Sequence, residues 1–235
     1  MDKIVTIHQP DFMPWLGFFN KIHNADEFIV LDHVLNNPKT ADFYCRRVKM
    51  LIGKVETWVS VNLSKDEIGL FIPINAMTFN LADANQFNKL EKTIYLNYKN
   101  APCFNEVFYL IEQYCNATSN KLIDRNILFI KEVLQKLNID TPLILSSELN
   151  PIHKSNVMLI DLLQKRQASE YLCGNGAASY QEDDLFNKEN INVKYNTFNH
   201  PNYEQFSTDG FIKGLSIVDA LMNVGFNKVE KLIKN

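Results

Sequence analysis

Hydrophobic positions in this chain repeat every two residues in some stretches and every three to four in others, and the changes of period mark out its elements. Residues 3–9 begin with the β-branched run Ile4-Val5-Thr6-Ile7 and read as a buried strand. Leu16, Phe19 and Ile22 then recur at helical spacing, which predicts a helix over 16–24. Phe28-Ile29-Val30-Leu31-Asp32 is a second strand ending in an acid. A strand, a short helix and a strand imply a parallel pair. Residues 35–45 read as a loop, and Arg46–Leu51 with Thr57–Leu63 as a hairpin around Gly53. No single period holds over 64–81.

From 83 to 139 the pattern turns helical, with three stripes: Phe87, Leu90, Ile94 and Tyr95; Val107, Leu110, Ile111 and Tyr114; and a long one from Leu122 to Leu137. Strands follow at Pro142–Leu145, Glu170–Gly174 and Ile191–Phe198. Ser155–Gln167 is an amphipathic helix with Ser155 placed to cap it. His200–Phe206 is a loop, and Leu215–Gly225 a last helix with Gly225 as its natural end. Repeats, low-complexity tracts and linkers are absent. The expected fold is one α/β domain over residues 1–235, with a mostly parallel, Rossmann-like sheet and a helical insertion at about 83–139.

Composition narrows the classes of function. The 235 residues are 46% hydrophobic, enough for one ordinary core. Lys and Arg number 24 against 27 Asp and Glu, a net charge of −3, so no phosphate-neutralising surface is indicated and nucleic acid is not an expected partner. Apolar runs are too short to span a bilayer, and no signal-peptide pattern precedes the first strand, so a cytoplasmic location is expected. Cys45, Cys103, Cys115 and Cys173 form no C-x-x-C pair, and His8, His23, His33, His153 and His200 show no ligand spacing. Reduced thiols and no structural metal are the expectation, and no cofactor is indicated.

Candidate chemistry centres on His8-Gln9. These residues sit where the first strand ends, before a loop stiffened by Pro10 and Pro14, neither of which has an amide donor. Ligands of open α/β sheets bind outside the carboxyl ends of the strands. His8 suits general acid–base work and Gln9 both donates and accepts, though a core histidine satisfying a carbonyl would look the same in sequence. Trp15, with Phe12, Phe18 and Phe19, either stacks a base or sugar face or plugs the core. Asp32 stands where dinucleotide folds grip a ribose, but no G-x-G-x-x-G follows the first strand.

Arginine occurs only four times, and Arg46-Arg47-Val48-Lys49 is the one dense cationic cluster. On a strand Arg47 and Lys49 share a face and Arg46 takes the other, so the cluster can bind an anion or form a solvated face. Gly174-Asn175-Gly176 either admits a ligand close to the backbone or makes an ordinary turn, and Cys173 reads as a buried thiol before a nucleophile. Ser216 and Asp219 share a helix face and suit a capping box.

In order along the chain, several segments resemble the WbqC-like protein family. They are His8-Gln9-Pro10, Pro14-Trp15-Leu16-Gly17-Phe18-Phe19-Asn20-Lys21, the acid-ended strand to Asp32, Arg46–Lys49 with Thr57–Val61, and Tyr171–Gly174 with Tyr180. Pro201-Asn202-Tyr203-Glu204-Gln205 and Leu215–Gly225 complete the set. Cys45 and Cys173 depart from the family's commoner Asn and Ser.

The resemblance implies a bacterial, cytoplasmic protein of surface-polysaccharide (O-antigen or capsule) biosynthesis acting on a nucleotide-linked or amino sugar. The expected activity is a transferase adding an acyl or aminoacyl group from an activated donor to a nucleotide-linked amino sugar. On that reading His8 is the base and Gln9 orients it or the acyl carbonyl, while Arg46, Arg47 and Lys49 hold phosphates. Trp15, Asp32, Gly174, Tyr180, Tyr203 and Gln205 would complete the substrate site. The alternatives are a non-catalytic module that binds sugar nucleotides or an assembly partner, and a nucleotidyl-transfer enzyme, although the H-x-G-H pattern of the latter is missing.

Overall fold

The first strand is where the sheet divides. In a computed structural model, which describes residues 2–37, 39–40, 42–64, 70–174, 176, 181–206, 208 and 210–234, the chain opens with β1 (Ile4–His8), α1 (Leu16–His23), β2 (Glu27–Val30) and the two-residue β3 (Leu35–Asn36). A hairpin of β4 (Arg47–Ile52) and β5 (Val55–Ser60) follows, then β6 (Ile72–Pro73), which pairs with β3. The helical insertion comprises α2 (Gln86–Tyr98), α3 (Phe104–Val107), α4 (Tyr109–Asn116) and α5 (Leu122–Lys136). The chain then returns through β7 (Leu143–Leu145), α6 (Ser155–Lys165), β8 (Glu170–Gly174), α7 (Asp183–Lys188) and β9 (Asn192–Asn196) to α8 (Ile217–Lys234).

Five strands form one all-parallel sheet in the order β7-β2-β1-β8-β9. Renumbered within the sheet this is 3-2-1-4-5, the order of a doubly wound, Rossmann-like sheet whose direction of winding reverses between β1 and β8.

Strand alternation explains why both faces are covered. Val5, Ile7 and Ile29 point into a cluster with Met158, Leu162, Leu163 and Phe186 from α6 and α7. Phe28 and Val30 point the other way, into a larger cluster that includes α1, α8, the hairpin and the insertion. Strands buried on both faces read as continuous hydrophobic runs, as β1 and β2 do. Helix α1 is buried along almost its whole length, Asn20 and Lys21 included, because it is wedged against the sheet and α8.

Local chemistry sets the boundaries. Gly53 and Lys54 both have positive φ (60° and 67°) and join β4 to β5 as a two-residue turn of the type matched to strand twist. Asp32 lies two residues beyond β2 instead of ending it. Ser155 does not cap α6: Lys154 occupies the cap position, no side chain bonds there, and Ser155 is itself at φ 55°. Ser216 does cap α8, its hydroxyl accepting from the Val218 amide at 3.2 Å, but Asp219 does not complete a box and turns elsewhere. The expected stop at Gly225 is a kink, with φ 73° and ψ 170°, after which the chain re-enters a helix to Lys234. Helix α7 has no counterpart in the sequence reading. Among the described residues no helix is long and apolar enough to cross a membrane.

Gly225 occupies a backbone region essentially restricted to glycine, and a Cβ there would stand 3.2 Å from Cys103 Sγ. Gly225→Ala should destabilise the fold by about 1–3 kcal/mol, seen in urea as a lower midpoint with an unchanged slope.

Candidate functional site

Where β1 and β8 part, the sheet opens. Their pairing covers Ile4–Glu170, Val5–Tyr171 and Thr6–Leu172 and stops there. Beyond that point β1 stays with β2 as far as His8–Val30, and β8 stays with β9 as far as Gly174–Asn196. The Thr6 hydroxyl ties off the last shared step by donating to the Leu172 carbonyl at 2.7 Å. The Ile7 carbonyl is taken up by the Lys21 ammonium of α1 at 3.2 Å. Crevices of this kind, at the switch point of a doubly wound sheet, are where such folds bind ligands.

Two cavities meet there, and His8 and Trp15 line both. The larger, about 480 Å³, is bounded by Asp11, Phe12 and Pro14 of the loop after β1, by Tyr44, and by Arg47, Lys49 and Trp58 of the hairpin. Arg47 and Lys49 do share a strand face. The Arg47 guanidinium lies 3.7 Å from the centre of the Trp58 ring, and Tyr44 stacks on the same indole at 6.1 Å and 23°. Lys49 is paired with Glu56 across the hairpin at 2.6 Å. Among the described residues no carboxylate pairs with Arg47, and its buried Nε has no partner. The wall is therefore an aromatic shelf carrying one uncompensated guanidinium.

The smaller cavity, about 220 Å³, lies between the ends of β1 and β8 and is lined by Lys21, Gly174, Gly176, Asn196, Phe18 and Phe198. Trp15, 39% exposed, stands between the two spaces, stacked on His200 at 6.1 Å and 13° and edge-on to Phe198. Its indole covers Gly17 so closely that a Cβ there would sit 2.3 Å from the ring.

His8 joins the two. Its Nδ1 lies 3.0 Å from the Gln9 carbonyl, which can only accept, so Nδ1 carries the proton and Nε2 presents its lone pair. No described residue bonds Nε2. Burial first, then the Lys21 charge, lowers the imidazole pKa to about 3, so it is neutral throughout the physiological range. Asp11, 3.7 Å from Nδ1, moves the opposite way: burial raises its carboxyl to about 7, with Lys21 opposing. Burial lowers Lys21 itself to about 8, with Asp11 opposing. The sequence reading left out both Asp11 and Lys21. The available signals were an acid between two prolines and a lysine in the run Leu16–Ile22, which is apolar apart from it and Asn20.

Other candidates lie elsewhere. Gln9 turns away from the cavities, its Oε1 facing Cys45 Sγ at 3.6 Å and accepting from Asn36 at 3.5 Å. Arg46 reaches the Val61 carbonyl at 3.5 Å and lines neither cavity. Asp32 accepts from Ser146, from the amide and hydroxyl of Ser147 and from Asn75, so its oxygens latch the end of β2 to the turn after β7 instead of facing a cavity. Tyr203 and Gln205 donate to Asp219 at 2.8 and 2.9 Å, and Tyr98 supplies a third bond at 2.9 Å. Those three residues hold the start of α8. Tyr180 lies outside the described residues. Cys173 is buried, its thiol held up by burial and 3.4 Å from the Lys194 carbonyl, which is the buried-thiol reading.

Comparison with known proteins places this geometry in a family. The model of the WbqC-like protein family matches residues 9–231. The uncharacterised protein Rv1507c of Mycobacterium tuberculosis is 28% identical over 232 residues, covering 95% of this chain and 94% of that protein. No solved structure matches.

Two outcomes follow from this arrangement. Tyr203→Phe removes a donor to a buried carboxylate and should cost about 1.5–3 kcal/mol of stability, read as a lower urea midpoint. The second concerns pH. From pH 6.5 down to 4 the unfolded chain protonates His8 before the folded one does, which lowers stability; the folded chain protonates Asp11 first, which raises it. The contributions oppose one another. In Asp11→Asn, stability should therefore fall on acidification more steeply than in the wild type. In His8→Gln it should fall less or rise. Chemical denaturation at several pH values reads this out, and parallel curves for the two variants would refute the assignment.

Proposed function

This chain belongs to the WbqC-like protein family, and from that premise we propose that it is a bacterial transferase of surface-polysaccharide assembly, adding an acyl or aminoacyl group to the amine of a nucleotide-linked amino sugar. One observation carries the reading. A neutral His8, its Nε2 unengaged by any described residue, stands in the wall common to two cavities at the switch point of a parallel sheet. A reaction that joins two substrates needs that layout, with a proton acceptor at their meeting place.

The larger cavity suits the nucleotide-linked sugar. Tyr44, Trp58 and Trp15 offer faces for a base or a pyranose ring, and the Arg47 fork suits a diphosphate. Lys49, neutralised by Glu56, contributes its stem more than its charge. In the transfer, the sugar amine attacks the carbonyl carbon of the activated donor. The carbon–nitrogen bond forms as the bond to the leaving group breaks, and His8 Nε2 takes the amine proton and passes it to the leaving group. The polysaccharide setting and the cytoplasmic location rest on the family resemblance, and the substrate class on the cleft.

A non-catalytic sugar-nucleotide binder would use the same shelf, since Arg47 on Trp58 is a binding device in its own right. The two readings separate on His8→Ala. For a transferase, turnover should fall by about 10²- to 10⁴-fold with the dissociation constant for the nucleotide sugar within a few-fold of wild type and the melting temperature retained. Arg47→Ala should instead weaken binding and flatten its dependence on salt. A thermal-shift panel of nucleotides, nucleotide sugars and acyl donors identifies the substrates. Stabilisation by nucleoside triphosphates alone would overturn the transferase reading in favour of nucleotidyl transfer.

A further inference from the structure

The smaller cavity is bordered by a charge with no described carboxylate in contact with it. Lys21 is 4% exposed, and its ammonium has three hydrogens. One is donated to the Ile7 carbonyl, and no described carboxylate lies within 4 Å of the nitrogen. Its other neighbours in the cavity are neutral: Phe18, Phe198, Trp15, His8, the backbone at Gly174 and Gly176, and Asn196. The Asn196 amide donates to Asn20 Oδ1 at 3.0 Å, which leaves its own carbonyl oxygen without a described partner. A buried cation with two donors that no described residue accepts, bordering an open space, is the polar side of a site whose anion arrives with a ligand.

We propose that the smaller cavity is a carboxylate-binding subsite, in which Lys21 receives a carboxylate of the second substrate and so seats that substrate against His8 from the side opposite the nucleotide-linked sugar. The proposal rests on the two-substrate reading above and adds the chemistry of the second substrate. The carboxylate is a handle, and the acyl carbon that reacts is a different atom. A carboxylate fits better than a phosphate for two reasons visible in the site. Among the described residues lining the cavity the cation is single, and no arginine borders it. Gly174 has open space where a Cβ would stand, so a small ligand meets backbone there and not a side chain. A carboxylate on Lys21 would also compensate the charge that acts against protonation of His8, so that seating the second substrate would strengthen the base.

The probes are sodium acetate and glycine against inorganic phosphate, at constant ionic strength with chloride as the balance. Thermal unfolding is followed with increasing anion, and the His8 ring is followed by NMR titration. Acetate or glycine should raise the melting temperature saturably, by about 3–6 °C at ten times the dissociation constant, and glycine, whose carboxylate stays ionised to lower pH than that of acetate, should move the His8 midpoint upward. Both effects should vanish in Lys21→Met, which keeps the stem and removes the charge. They should also vanish in Gly174→Val, which fills the space without touching the lysine and serves if the first variant does not fold. Titration with UDP should be unaffected in both variants, because it reports on the larger cavity. Saturation by phosphate in preference to carboxylate, or a carboxylate effect that survives both variants, would overturn the proposal. Loss of UDP binding in the wild type with the Lys21-dependent carboxylate effect intact would instead overturn the nucleotide-sugar reading and leave the subsite standing.

Discussion

The contact on which the site depends is the ammonium of Lys21 against the carbonyl of Ile7. Two parallel strands that separate in mid-sheet leave backbone groups without a ladder, and a buried carbonyl without a donor is costly. Lys21 meets that need from the neighbouring helix, and so β1 and β8 can part without β1 losing its place beside β2. The cost is transferred to the lysine, whose charge is then held among apolar rings with no described acid in direct contact. His8 and Asp11 register it from either side. The same charge helps to keep the imidazole neutral and opposes the protonation that burial imposes on the carboxyl. One contact thus sets the shape of the crevice and much of its protonation.

The loop after β1 needs equally firm support, because it carries Asp11, Pro14 and Trp15 into the cleft. That support comes from the far end of the chain. The Ile217 amide donates to the Pro14 carbonyl at 2.8 Å, the Ser216 hydroxyl to the Met13 carbonyl at 2.7 Å, and the Ser216 amide to the Lys49 carbonyl at 2.8 Å. The start of α8 therefore bolts the loop and the hairpin to each other. Asp219, one turn on, is gripped by Tyr98 of the insertion and by Tyr203 and Gln205 of the preceding loop. Tyr98 also accepts from the Leu51 amide at 3.1 Å. Hairpin, insertion and last helix are thereby fixed relative to one another, and the Arg47–Trp58 shelf faces His8 across a constant gap. Residues far from the cleft position it.

Elements whose signal is local were legible in the sequence. Continuous hydrophobic runs identified β1, β2 and β8, the two-residue period put Arg47 and Lys49 on one face, and the helical stripes outlined the insertion. The place of His8 at a strand end was legible because a strand followed by two prolines is a local pattern. Roles decided by partners outside the local pattern were not. Asp32 suggests a ribose grip until Ser146 and Ser147, 114 and 115 positions later, are found on its oxygens. Tyr203 and Gln205 suggest a pocket wall until Asp219 is found between them and Tyr98. Lys21 looks like the polar edge of an amphipathic helix, and only the burial of α1 between sheet and α8 gives it a different meaning. In each case tertiary packing assigned the side chain, and pattern alone could not.

Asp219 and Lys21 show how two buried charges in one fold can serve different ends. Asp219 is surrounded by three donors aimed at its oxygens, so its charge is compensated from within and the result is rigidity. Lys21 has one described acceptor, a cavity on its open side and a neutral histidine beside it. Buried ion pairs are often no more stabilising than the apolar residues that would replace them, and an unpaired buried charge is worse. A methionine at position 21 would fill the same volume at less cost in desolvation, though it would leave the Ile7 carbonyl bare. A short polar residue able to reach that carbonyl would solve both problems without a charge. That a full ammonium stands there instead, at the junction of two cavities, is a local departure from stability of the kind that sites for ligands tolerate. On the proposed reading the ammonium serves a bound anion and His8, and the rigid Asp219 network supplies the frame in which that departure can be sustained.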